Sequence, residues 1–419
     1  MTDAQKTKSN FGAMGWYYIV LTAILFYINT LITTDGLNVT VAACEAREGW
    51  SQAQLLNYST LAGYISIAAA PFIGVWLGKQ GVKLVCSILL LVSGAATIWW
   101  GNAGSPLQYL ISCAIVCACA NGYSHLSSST LANNWFPKKK GLFLGWSTMG
   151  LQMSSVCGVA MLNLFITHFK LSGCYNIVGA MQIALGILCV FTVKNTPMEM
   201  GKYPDNLPMS AEELAAYTKG QAEYVSTLTL GQILKDKNTW LIGISFGVLY
   251  MASIGMLSQW VPRLMTLGYD SSYAITLLAV AAAIGLFGSY AWGWLDMKFG
   301  PKKASIGIMV NYVIAVFLLV LPHHPVLLYI AVFLIGMGIG GVANLVGSLV
   351  GSIWGVKEFA RVFGIVNTIE GVVRVTAFSV LAFGLTHLGG YSGAYTIFLV
   401  LCVIGVIMMC FVRLPAENK

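Results

Sequence analysis

The chain has 419 residues, of which 57% are hydrophobic and only 9% charged, with a mean hydropathy of +0.76 and a formal net charge of +8. A soluble domain carries about a quarter charged residues, so the composition excludes one and points to an integral membrane protein. The positive charge lies almost wholly in loops between apolar segments, where it reports topology and implies no nucleic-acid partner.

Twelve apolar segments can be drawn in chain order, at about 16–40, 53–78, 84–101, 107–132, 142–167, 174–193, 238–262, 273–295, 304–321, 326–350, 362–386 and 392–412. Most reach the ~20 residues that cross a bilayer as helix, and the alternation of a membrane strand is missing. Of the 23 Lys and Arg, 19 fall at the termini or in even-numbered gaps, as at Lys79, Lys83, Lys138–Lys140, Lys298 and Lys357. Three (Arg47, Lys170, Arg263) fall in odd-numbered gaps, and one, Arg374, lies inside a segment. The bias predicts that both termini are cytoplasmic. The Lys138–Lys140 run reads as a topology anchor, although anionic lipid would also suit it. The first segment lacks a small-residue cleavage site, so no removable signal peptide is expected.

Nine of the ten cysteines lie in or beside apolar segments and only Cys44 approaches the outer face, so no disulfide framework is implied. Cys113, Cys117 and Cys119 are read as small packing residues of the fourth segment, and no metal site is expected. No phosphate-binding loop, zinc-protease motif or nucleophile elbow is found, which argues against an enzyme and against a nucleotide or other cofactor.

The longest polar stretch, 194–237, divides the segments six and six. The chain therefore reads as an all-α membrane protein of twelve transmembrane helices, with one six-helix bundle over 1–193, a linker over 194–237 and a second bundle over 238–419. Ser210-Ala211-Glu212-Glu213 in the linker could cap a short helix. The halves echo one another: GVWLGKQGVK at 74–83 follows the second segment, and GWLDMKFGPKK at 293–303 follows the eighth. Internal repeats of this kind are typical of secondary transporters. The tenth segment carries Gly336, Gly338, Gly340, Gly341, Gly347 and Gly351, a spacing that suits close helix packing or a sliding surface.

With GWSQAQL at 49–55, NWFPKKKG at 134–141, KFGPKK at 298–303 and Phe363-Gly364, these features resemble the major facilitator superfamily. Within it the chain is similar to the oxalate/formate antiporter and monocarboxylate-transporter branch. The resemblance implies a fold of two bundles that alternate access, a multi-pass monomer, and, with the short loops, a bacterial inner membrane. It also implies a cavity lined by the first, fourth, seventh and tenth helices, with the second, fifth, eighth and eleventh beside them. Two departures stand out. Where superfamily members carry an Asp in the turn after the second segment this chain has Gly78, and in the second half Asp296 sits one residue early, leaving Met297. The two basic positions that clamp oxalate are Ser289 and Glu370 here, which sets a small dianion aside.

Glu370 and Arg374 lie four apart on one helix face and can pair, either to keep the helix insertable or to border the cavity. In the second case a substrate carboxylate would compete for the guanidinium, and Glu370 could carry a proton. His125, the one histidine inside an apolar segment, suits a proton relay or an interhelical hydrogen bond. Asp35 is either solvated at the membrane edge or part of an outer vestibule that takes part in coupling. The resemblance adds Tyr27, Tyr123, Gln152, Tyr250, Gln259, Trp260, Asn344 and Asn367 as cavity residues, with Ser289. The expected function is secondary transport of an organic monocarboxylate with an apolar body, by proton symport or by exchange for another anion. A zwitterion or cation carrier is the alternative, and a non-transporting sensor is a third reading.

Overall fold

The computed structural model describes residues 10–50, 52–210, 212 and 228–415. The helix cap expected at 210–213 falls largely outside them. Every regular element among the described residues is helical, as hydrocarbon demands of a chain that must satisfy its own backbone. Among the described residues, nine helical stretches are long and apolar enough to cross a membrane. Three of these contain a residue with non-helical backbone, Gly81, Lys170 and Gly355, which divides each in two and makes twelve spans. We number them α1 (12–35), α2 (52–80), α3 (82–101), α4 (106–135), α5 (140–169), α6 (171–192), α7 (237–258), α8 (271–299), α9 (301–320), α10 (325–354), α11 (356–387) and α12 (391–411).

Local chemistry sets several of these ends. The Ser105 side chain accepts the Gln108 amide ahead of α4, Asp236 caps α7 and Asp270 caps α8. Pro106, Pro301 and Pro325 stand at first-turn positions, where no backbone amide is lost. The repeated turn of the two halves is also a repeated geometry. Gly81 has φ 81° and ψ 169°, and Gly300 has φ 85° and ψ 157°. That region of backbone space is essentially reserved for glycine, which is why each copy of the turn carries one there.

The start of the connection between halves is part of the first bundle's surface. The Trp135 indole donates to the Lys194 carbonyl, Asn134 to the Asn195 carbonyl, and the Lys83 amide to the Asn195 side chain. Further on, Asp205 accepts the Lys138 amide and Asn206 donates to the Asn10 and Phe11 carbonyls. Burial pushes the Asp205 carboxyl above its usual range, and the Lys138 amide and ammonium pull it part of the way back.

The two bundles touch mainly in the half of the molecule where the described chain begins and ends. There α5 packs on α8 and α2 on α11, through glycines that let backbones meet. A Cβ on Gly145 would stand 2.7 Å from the Ser289 carbonyl oxygen and 3.1 Å from Gly293 Cα. One on Gly74 would stand 2.5 Å from the Ala360 carbonyl oxygen, and one on Gly364 2.7 Å from that of Ala70. Asp296, displaced by one residue from the family pattern, is buried at this seam with its carboxylate against Gly141. The opposite half is splayed and holds the central cavity. We expect Gly145→Val to force α5 off α8 and to open the closed half. A maleimide would then modify Ser348→Cys, a buried site on α10, several-fold faster in the double variant than in Ser348→Cys alone; equal rates would show that the seam does not depend on this contact.

Candidate substrate site

Three of the helices that surround the cavity contain a π-helical turn: Leu31–Asp35 in α1, Gly122–Leu126 in α4 and Ser154–Gly158 in α5. Each such turn takes in one extra residue and rotates the remainder of its helix, a distortion common at functional sites. Here all three aim polar groups into one space. Thr33, Thr34 and Asp35 come from the first turn, His125 from the second and Ser155 from the third. The cavity measures about 410 Å³, within the range of organic-ligand pockets.

Its walls differ. The first bundle supplies a polar face that includes Asn29, Ser59, Ser66, Asn121, His125 and Gln152. The second supplies an apolar face of Ile254, Ile339, Ala343, Val346 and Phe363, interrupted by Tyr250, Asn367, Glu370 and Arg374. Asn121 donates to the Asn367 side-chain oxygen at 3.0 Å, and Thr368 to the Ile67 carbonyl at 3.1 Å, so two hydrogen bonds bridge the bundles beside the cavity.

The charged groups sit on α11. The Glu370 side chain is 3% exposed and the Arg374 side chain 35%, with Oε1 and Nη1 3.9 Å apart. That distance is an ion pair but too long for a hydrogen bond. Oε2 of Glu370 is buried with no hydrogen-bond partner. The guanidinium carbon lies 5.6 Å from the centre of the Tyr250 ring, a cation–π contact beside the cavity. A loosely paired, desolvated carboxylate beside a half-exposed arginine is a costly arrangement; a bound anion would satisfy the arginine and a proton the carboxylate. Across the cavity Asp35 accepts from the Ser154 and Ser155 hydroxyls at 3.0 and 2.9 Å. His125 packs edge-on against Phe26, ring centres 5.0 Å apart.

The chain matches the profile of the Major Facilitator Superfamily over residues 11–378 and again over 289–419. It belongs to that family. It is 20% identical over 366 residues to the uncharacterized MFS-type transporter YhjX of Escherichia coli, covering 86% of each chain. It is 22% identical over 194 residues to human monocarboxylate transporter 14, covering 46% of this chain and 37% of that one, so it spans little more than a third of that relative's length. Among solved structures, the proton:xylose symporter XylE superposes with a TM-score of 0.72 at 16% identity, covering 95% of this chain and 96% of that one, which shows the fold alone.

Within this major facilitator fold the residues singled out from sequence divide into two groups. Asp35, His125, Gln152, Tyr250, Asn367, Glu370 and Arg374 line the one cavity. Tyr123, Ser289, Asn344 and Gln259 do not. Tyr123 is fully buried inside the first bundle, where Gln182 donates to its hydroxyl. Ser289 and Asn344 are buried in the closed seam, Ser289 donating to the Gly340 carbonyl and Asn344 to the Ser289 carbonyl. Gln259 lies past the end of α7 and accepts from the Tyr391 hydroxyl. Tyr27 and Trp260 also lie outside the cavity lining. The reason is register: a helix assigned to the cavity presents only one face to it, and depth along the helix decides between the open and the closed half. Asn121 was missed as a site residue although it lies four before His125, one turn along the same face.

Cys117 lines the cavity, while Cys113, 4.0 Å away sulfur to sulfur, is buried. Brief treatment with a water-soluble maleimide should therefore modify Cys117 roughly tenfold faster than Cys113 or Cys119, read by peptide mass spectrometry. Equal protection of all three would show that the cavity is closed to water.

Proposed function

We propose that this major facilitator protein is a secondary transporter of an organic monocarboxylate with an apolar body, and that Arg374 is the anion anchor. The observation that carries the reading is the Arg374 guanidinium, braced on Tyr250 and only loosely paired with Glu370, beside the apolar residues Ile254, Ile339, Ala343, Val346 and Phe363 of the same wall. A carboxylate would dock bidentately on the planar fork, and its apolar body would lie along Ile254, Ile339, Val346 and Phe363. A volume of about 410 Å³ is generous for a very small anion. The partial likeness to monocarboxylate transporter 14 supports the substrate class.

Coupling follows from the same pair. When substrate takes the guanidinium, Glu370 loses its one ionic partner in a buried place and is neutralised by a proton. His125 and Asp35, on the facing wall, are the groups through which that proton would exchange with the open side; anion exchange is the other form of coupling the cavity would support. With both termini cytoplasmic, in a bacterial inner membrane, the cavity of this structure faces outward and its closed seam faces the cytoplasm. The chain works as a monomer in this reading.

A second reading has its own observation. Asp35 lines the same cavity as Arg374, so a substrate with both an ammonium and a carboxylate could engage the two walls at once. Uptake into proteoliposomes, with short and aromatic monocarboxylates, dicarboxylates, zwitterions and quaternary amines as competitors, separates the two: inhibition by carboxylates alone supports the first, and inhibition by zwitterions or cations alone overturns it.

Two variants test the roles. Arg374→Ala should lower anion uptake at least a hundredfold at unchanged abundance, the scale of losing a charge-assisted bidentate contact worth about 3 kcal/mol; near-normal uptake would remove Arg374 from the site. Glu370→Gln, which mimics the protonated acid, should flatten the pH dependence of uptake, and a full proton response in that variant would transfer coupling to His125 or to counter-anion exchange.

A further inference from the structure

A second polar pocket lies outside the central cavity, at the end of the second bundle away from the termini. It is formed where the short helix Trp260–Thr266 after α7 meets the α9–α10 connection and α12. No residue is shared with the cavity lining. Its volume is about 20 Å³, enough for one halide ion or one or two waters. Most of the lining is leucine; the polar members are Trp260, Arg263, His323, His324 and Tyr395.

Trp260 and Arg263 can only donate hydrogen bonds, and Tyr395 can donate one. Trp260 is 2% exposed, and its indole N–H has no acceptor. Tyr395 is fully buried, and its hydroxyl has no partner. The Arg263 guanidinium carbon lies 5.8 Å from the ring centres of both Tyr391 and Tyr395, and Arg263 makes no ion pair among the described residues. His324 accepts the Val326 amide on Nδ1, which places the proton of its neutral ring on Nε2. Among the described residues, no carboxylate lines the pocket.

Two buried donors without acceptors are an exception that calls for a partner. A water could bridge the indole N–H and the Tyr395 hydroxyl, but it carries no charge to balance Arg263. A small monovalent anion accepts from all sides and also neutralises an arginine that has no ion pair among the described residues. The leucine shell and the small volume favour a weakly hydrated halide over phosphate or an organic acid. We propose that this pocket is a halide site, occupied by chloride, which ties the outer end of α7 to the α9–α10 connection and α12.

The inference is independent of what crosses the central cavity, and its test separates the two. Thermal unfolding of the purified protein would be followed in sodium chloride, in sodium bromide and in sodium gluconate at equal ionic strength. Chloride and bromide should raise the midpoint by about 2 °C over gluconate in a saturable way. Arg263→Gln and Tyr395→Phe should each abolish the difference. Should the arginine variant fail to fold, the tyrosine variant, which removes one oxygen from a ring that otherwise stays in place, carries the test. Equal midpoints in the three salts, or an undiminished halide response in Tyr395→Phe, would overturn the site. Crystals grown in bromide should show an anomalous peak between Arg263 and Tyr395, and a water-like peak with no anomalous signal there would also overturn it.

Discussion

Close backbone contact between the two bundles is the constraint on which the rest of the architecture depends. Gly141 and Gly145 of α5 meet Gly293 of α8, and Gly74 of α2 meets Gly364 of α11, all in the half of the molecule nearer the termini. Apolar helices in lipid gain little from mere hydrophobic association, so close van der Waals packing at small residues is what holds them. With that half shut, the helices diverge in the other half, and the space between them is the cavity. The seam is also polar: Asn133, Asp296 and Asn344 are buried there, each with a side-chain oxygen that has no hydrogen-bond partner. A seam with such unmet needs is less stable than an apolar one, which suits an interface that must part.

The cavity concentrates the remaining cost. Hydrocarbon tolerates Glu370 and Arg374 only because they neutralise one another and because a water-accessible space lies beside them. Yet the pair is loose at 3.9 Å, and the guanidinium also lies over the Tyr250 ring, 5.6 Å from its centre. A tight, fully hydrogen-bonded pair would be a structural element that no substrate could open. The looseness leaves the arginine available and makes the carboxylate sensitive to whatever takes its partner. In the transport mechanism proposed above, binding and coupling meet in two residues one helical turn apart.

Much of this was legible in the sequence. Glu370 and Arg374 stood out because ionised residues inside apolar segments are rare, and their four-residue spacing already placed them on one face. The six-and-six division and the repeated turn came from hydropathy and from the glycine spacing, and Gly81 and Gly300 prove to share one backbone conformation that other residues avoid. Tyr123 and Asn344 are drawn in by the helix they belong to, and Ser289 by its alignment with a basic clamp position. Their burial depends on which way that face turns and on how near it lies to the closed seam, neither of which a linear pattern encodes. The π-helical turns that bring Asp35, His125 and Ser155 to one cavity also leave no mark on composition.

Membrane class, span positions and the charged pair are local or periodic properties of the chain. Hydropathy and charge placement act residue by residue against a fixed solvent, the bilayer, so they can be read without knowing any contact. The state of the molecule is another matter. Which half of the bundle interface is shut, which polar side chains face the resulting cavity, and which buried donors such as Trp260 and Tyr395 lack acceptors all depend on contacts between residues far apart in the chain. Those contacts form only when twelve helices pack at once, and helix register and tilt are then set by the neighbours rather than by any one segment.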